Sequence, residues 1–114
     1  KLISGSKAAV EFHCNAFSKP SAGGCEALSQ PKDRALSQRL CKAVSDVMGI
    51  PTRGNDGGWK DEGSGQHSRL GYVRNGGIIL ELFFISNPTE LAVWQDKKWL
   101  VAKAVAEVLA EVAR

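Results

Sequence analysis

Apolar and polar residues follow one another along this chain in three rhythms, and each predicts a different element. In AVEFHCNAF, residues 9–17, Val10, Phe12 and Cys14 alternate with Glu11, His13 and Asn15. A period of two belongs to a strand, so the three polar side chains share one face and the other three the opposite face. From Asp33 to Met48, Leu36, Leu40, Val44, Val47 and Met48 fall three and four apart, the spacing of an amphipathic helix, and Gly49 is its expected stop. IILELFFI, residues 78–85, is continuous, as expected of a central parallel strand covered on both faces. Asn87-Pro88-Thr89-Glu90 reads as a helix start: Asn87 is the N-cap, Pro88 the first helical residue, and Glu90 stands three residues after the cap. A short helix to Gln95 is expected there. A second, long one from Asp96 to Ala113 carries Val101, Ala104, Val105, Val108, Leu109 and Val112 on one stripe.

The stretches between these elements are punctuated by turn formers. Residues 18–32, rich in Pro, Gly and Ser, are expected to form a loop from the first strand to the first helix. IPTRG, residues 50–54, reads as a short strand end, and the glycine-rich residues 53–69 as a long loop of the kind that is functional or mobile. Tyr72 and Val73 are expected in a short extended segment. Strand, helix, strand, helix is the order of an α/β fold, here an open, twisted, mainly parallel sheet with flanking helices.

Composition narrows the class without naming a chemistry. The 114 residues suit one domain, residues 1–114, and 43% hydrophobic with 24% charged residues exclude a disordered chain. No apolar run approaches the roughly 20 residues of a membrane span, and Lys1 onward lacks the pattern of a signal peptide, so a soluble chain without membrane insertion is expected. The net charge of +3 is spread along the chain. That does not argue for nucleic acid and is compatible with a mildly anionic polymer such as a cell wall. Cys14, Cys25 and Cys41 cannot all pair and form no CxxC, so buried, reduced thiols are expected rather than a disulfide scaffold or a cysteine-rich zinc site.

Two polar residues stand where burial is expensive. His13 lies near the C-terminal end of its strand, where open parallel sheets place ligands and catalytic groups; the alternative is a core histidine bonded to a backbone carbonyl. Its neighbour Cys14 points to the other face, which rules out a Cys14–His13 nucleophile and suggests that Cys14 packs under the sheet. Glu81 is flanked by Ile78, Ile79, Leu80, Leu82, Phe83 and Phe84, and a carboxylate so placed needs a partner or must give up its charge. Either condition suits a catalytic acid/base near a metal; an ion pair with Arg53, Arg69 or Arg74 is the structural alternative.

These residues also resemble a known family. VEFHCNA is similar to the Ser-Ile-His-Ala-Asn segment of the zinc-dependent N-acetylmuramoyl-L-alanine amidases, the peptidoglycan amidases of type 3. Gly24-x-Glu26 is similar to their Gly-x-Glu after the histidine strand, IPTRG to their Leu-Pro-x-Arg-Gly element, and RLGYVRNGGIILELFFISNPTEL to their late strand and helix. The matches keep the family's order over roughly residues 8–112. The resemblance implies that His13 is the last zinc ligand. It implies that Glu81 is the catalytic glutamate, activating zinc-bound water and then protonating the leaving amine. The bond cut would join the lactyl group of N-acetylmuramic acid to the L-alanine of the stem peptide in peptidoglycan.

Two departures qualify that implication. The family's Gly-His-Gly ligand and a glutamate ligand lie upstream of the histidine strand, whereas Lys1 is only twelve residues before His13. The chain is therefore expected to be the C-terminal portion of a catalytic domain, incomplete at the N-terminus, with its other zinc ligands upstream of Lys1. A complete domain would be monomeric and a truncated one would self-associate. Glu11 stands where the family commonly has a small polar residue, about 6–7 Å along the strand from His13; it is expected to orient the imidazole, with a substitute ligand as the alternative. An acid there resembles the phage-type members. His67 is expected to be an ordinary exposed loop histidine, with a replacement ligand or substrate contact as the alternative. Trp59 is a candidate for stacking on sugar or peptide, or else covers the core edge. Asn15 and Arg53 are candidate pocket-lining groups, and Asp61 and Glu62 are expected to pair with Lys60. The reading that results is an endolysin-like amidase of the bacterial cell wall or periplasm. The alternatives are a non-catalytic wall-binding module that keeps the fold without a complete zinc site, and a different α/β hydrolase in which Glu81 is structural.

Overall fold

Ile78–Phe84 is a strand whose seven residues are all buried, and a strand buried on both faces has to be central. The computed structural model describes residues 8–61 and 70–113. In chain order it contains β1 (Val10–Asn15), β2 (Glu26–Leu28), a 3-10 turn (Pro31–Asp33), α1 (Arg34–Met48), β3 (Trp59–Lys60), α2 (Leu70–Arg74), β4 (Ile78–Phe84) and α3 (Pro88–Ala113). The sheet order is β1-β4-β2-β3. β1 runs parallel to β4 and β2 parallel to β3, while β2 is antiparallel to β4. The fold is the expected open, mostly parallel sheet with flanking helices, but its central strand has one parallel and one antiparallel neighbour.

Several local expectations give way to tertiary context. β2 lies inside the stretch expected to be a loop, and three residues are too few to show a period of two. β3 interrupts the glycine-rich segment, and IPTRG contributes a single bridge, Thr52 to Cys25. Tyr72 and Val73 lie in the helix α2 rather than in an extended segment. The two expected C-terminal helices are one helix of 26 residues, because no Gly or Pro separates Gln95 from Asp96 and nothing there breaks the hydrogen-bond ladder.

Both long helices cover one face of the sheet. Leu40, Cys41, Val44 and Met48 of α1, Val101 and Val105 of α3, and Ile78, Leu80, Leu82 and Phe83 of β4 form the main core with Cys25 and Ala27. Phe83 stacks on Trp94 at 5.2 Å between ring centres, and burying a side chain of that size stabilises by about 2–3 kcal/mol. On the other face Leu28, Val73 and Ile79 make a smaller cluster against Tyr72. Gly49 ends α1 in the left-handed conformation, φ +70°, donating its N–H to the Ser45 carbonyl as expected. Cys14 departs from expectation: it is exposed, because the sheet surface beneath β1 is only partly covered and Phe12 beside it is 51% exposed. Among the described residues no helix is long and apolar enough to cross a membrane.

The start of α3 is tied to the sheet by one buried carboxylate. Asn87 Oδ1 accepts the Glu90 N–H at 3.1 Å, the expected cap. The Glu90 side chain, 5% exposed, does not complete a capping box; it accepts the Phe84 N–H at 3.0 Å and the Gly24 N–H at 2.7 Å. A Cβ on Gly23 would stand 2.3 Å from Glu90 Oε2, so only glycine leaves room for that carboxylate. Glu90→Ala strands two buried amides and is expected to destabilise by about 3 kcal/mol in urea unfolding. Glu90→Gln keeps one acceptor and should recover part of that loss; equal stability of all three proteins would show that the staple contributes nothing.

Candidate functional site

Strand register assembles a row of polar side chains on the face away from α1 and α3. His13 of β1 pairs with Glu81 of β4, and Glu81 pairs with Glu26 of β2. Paired residues on adjacent strands project to the same side about 4.8 Å apart. An imidazole and two carboxylates therefore stand side by side, with Glu81, 4% exposed, in the middle.

A bulge just beyond this row re-aims the residues that follow. Between the pairs His13–Glu81 and Asn15–Phe84 stand one residue of β1, Cys14, and two of β4, Leu82 and Phe83, and an extra residue reverses the alternation. Leu82 and Phe83 consequently both join the helix-side core, while Phe84 lies under the Arg53 guanidinium, 4.6 Å from the ring centre. Asn15 reaches across β4 to donate to Glu26 Oε2 at 2.8 Å. The other Glu26 oxygen lies 3.3 Å from Arg53 Nε and 3.8 Å from Lys60 Nζ, and Arg53 also donates to the Gly23 carbonyl at 3.1 Å. Of the arginines considered for Glu81, Arg53 is thus directed at Glu26.

The row continues toward solvent. Glu11 Oε1 lies 2.6 Å from His13 Nε2, so the carboxylate two residues back on the strand sits against the imidazole. Tyr72 of α2 packs over Gly77, where a Cβ would come within 2.2 Å of the ring. Burial, and secondarily the Glu11 charge, raise the Tyr72 phenol above its ordinary value.

Of the residues singled out from sequence, Glu11, His13, Asn15, Arg53 and Glu81 come together. Trp59 does not join them. β3 is at the far edge of the sheet from β1, the Trp59 indole N–H donates to Ser29 Oγ at 3.0 Å, and its ring lies under the Arg34 guanidinium of α1. His67, Glu62 and Arg69 lie outside the described residues. Glu26, Lys60, Tyr72 and Phe84 went unassigned. For Glu26 the one signal was its place in Gly24-x-Glu26; for Phe84 there was none, since a bulge leaves no mark in an unbroken apolar run.

A buried carboxylate beside an imidazole can take and return a proton. The row is less complete as a metal centre. Among the described residues no three His, Cys, Asp or Glu side chains group to hold an ion. The 2.6 Å between His13 and Glu11 is a hydrogen-bond distance, shorter than the roughly 3.3 Å between two ligands of a tetrahedral zinc. His13 fits one corner of such a centre, and the described residues do not make up the rest.

A family profile described as N-acetylmuramoyl-L-alanine amidase matches residues 3–111. No curated protein matches. A solved structure from Neisseria meningitidis, described as an N-acetylmuramoyl-L-alanine amidase, is 48% identical with a TM-score of 0.91, over 96% of this chain and 60% of that one. The catalytic domain of CwlV, an N-acetylmuramoyl-L-alanine amidase from Bacillus (Paenibacillus) polymyxa var. colistinus, is 21% identical with a TM-score of 0.71, over 93% of this chain and 57% of that one. The amidase AmiC2 of Nostoc punctiforme is 18% identical with a TM-score of 0.73, over 96% and 59%. The latter two show a shared fold. The chain spans about three fifths of the length of these solved structures.

Tyr72 is the one tyrosine of the chain, so phenolate absorbance reads it alone. It is expected to ionise above the ordinary value of 10.0, and Glu11→Gln should move the titration part of the way back, since burial remains. The stability this shift contributes is complete below about pH 10 and is lost as pH rises through the folded-state value. An unmoved titration in Glu11→Gln would show that the carboxylate does not act on the phenol.

Proposed function

This chain belongs to the N-acetylmuramoyl-L-alanine amidase family, and we propose that it forms part of a zinc-dependent catalytic centre cleaving the amide between N-acetylmuramic acid and L-alanine in peptidoglycan. The observation that carries the reading is Glu81, buried and in register beside His13 on the face away from α1 and α3. His13 would hold the metal, with Glu11 orienting the imidazole, and the remaining ligands would come from outside the described residues. Zinc bound there would polarise the amide carbonyl and make water a better nucleophile. Glu81 takes the proton of the attacking water and returns it to the departing amine, a transfer suited to a carboxylate shielded from bulk water. Asn15 and Arg53 would line the substrate pocket, and both hold Glu26 beside Glu81. The setting is the bacterial wall, and the acid at position 11 supports a phage lysin.

Glu81→Gln removes the proton carrier while keeping shape. It is expected to lower hydrolysis of purified peptidoglycan, followed as new L-alanine amino termini, by about 100-fold or more without loss of wall binding. His13→Ala should lose zinc as well as hydrolysis. The second reading, a wall-binding module, is favoured by the lack of a full donor set among the described residues; it predicts binding to peptidoglycan with no turnover at any zinc concentration.

We also propose that further polypeptide covers β1 in the intact catalytic domain. Among the described residues β1 stands at the end of the sheet, and a groove of about 490 Å³ beside it is lined by Phe12, Leu82, Trp94, Val101, Val105 and Leu109. An open strand edge next to an apolar groove is an association surface. The isolated chain is expected to show concentration-dependent sedimentation that Phe12→Lys reduces. A monomer at all concentrations counts against the proposal.

A further inference from the structure

On the helix side of the sheet, behind Glu26, two thiols meet. Cys25 immediately precedes β2 and Cys41 lies in the middle of α1. Both are fully buried members of one core cluster. The neighbouring Cys41 thiol, with burial next in importance, pushes the Cys25 thiol well above the ordinary thiol range. Gly58 closes the space around them: a Cβ there would stand 2.7 Å from Cys41 Sγ and 3.2 Å from the Cys25 carbonyl oxygen. Cys14 is exposed on β1, and β4 separates that strand from β2.

We infer that Cys25 and Cys41 are a dithiol that closes to an intramolecular disulfide when the chain folds in an oxidising compartment, linking β2 to α1. The oxidant is a low-molecular-weight disulfide such as oxidised glutathione. One protein thiolate attacks a sulfur of the oxidant and releases a thiol as the first mixed disulfide forms. The second protein thiol gives up its proton and attacks the protein sulfur of that mixed disulfide, releasing a second thiol. Two protein thiols are oxidised, one small disulfide is reduced, and two small thiols leave. The buried, protonated dithiol of the folded chain is a poor nucleophile, so closure belongs to the folding chain, before α1 packs on β2. The same burial then shields the product from reductants.

The link lies directly behind the candidate site. The Cys25 N–H donates to the Pro51 carbonyl, the Cys25 carbonyl accepts the Arg53 N–H, both at 2.9 Å, and the next residue is Glu26. Closing the pair holds the backbone that carries Glu26 and Arg53 to the helix layer. This inference does not depend on the amidase reading and is tested without activity.

The chain and its Cys14→Ser variant are refolded from denaturant with either a glutathione redox buffer or excess dithiothreitol, then denatured and alkylated without reduction. After the glutathione refolding, intact mass should fall by two hydrogens, alkylation should be confined to Cys14, and peptide mapping should join Cys25 to Cys41. Closing a loop of this length should raise the melting temperature by about 10 °C over the reduced protein. Alkylation or stable glutathione adducts at Cys25 or Cys41, a cross-link through Cys14, or an oxidised form that melts no higher than the reduced one would overturn the inference. Cys14→Ser removes every competing pairing, so failure of this variant to close is decisive.

Discussion

β4 has to be covered on both faces and paired on both edges, and the rest of the fold follows from that requirement. Its seven consecutive buried residues demand a helix layer on one side, which α1 and α3 supply, and at least a partial cover on the other, which Tyr72 and Val73 of α2 begin. Its backbone amides demand neighbours, which β1 and β2 supply. A strand under such constraint is an unfavourable place for a carboxylate. Glu81 stands there nonetheless, between a histidine and a second glutamate.

The bulge after Glu81 changes which face the end of β4 serves. Without it Phe84 would face the helices. With it Leu82 and Phe83 both serve the core, Phe84 becomes a platform for Arg53, and Asn15 is free to reach over β4 to Glu26. Glu90 acts at the same place from the other side, satisfying amides of Phe84 and Gly24 at once. The C-terminal end of β4, the start of α3 and the loop before β2 therefore behave as one rigid corner. The polar row stands beside that corner, on paired strands rather than on a loop.

The two ends of the helix-covered face differ in how finished they are. Toward α1, even the thiols of Cys25 and Cys41 are sealed in. Toward β1, the described residues leave a groove between Phe12, Trp94 and the α3 stripe. This asymmetry fits a fold that matches about three fifths of its solved relatives. The sealed side is where a covalent link would persist, and the open side is where additional polypeptide would contribute most.

Along the chain itself, elements long enough to repeat their own period were legible: the alternation that puts Glu11, His13 and Asn15 on one face, the three-and-four spacing of α1, the unbroken run of β4, and the Asn87 cap. The expected α/β class followed from their order. What the sequence did not reveal is whatever exists only through a distant partner. β2 and β3 are three and two residues long and form because β4 and each other offer hydrogen bonds. The helical state of Tyr72 comes from packing over Gly77, and the change of face at Phe84 comes from a register slip. Local pattern specifies which side of a strand a residue faces, because that depends on the residue's own backbone. Which residue stands opposite it, His13 or Glu26 beside Glu81, depends on register between strands far apart in sequence, and only the folded sheet decides it.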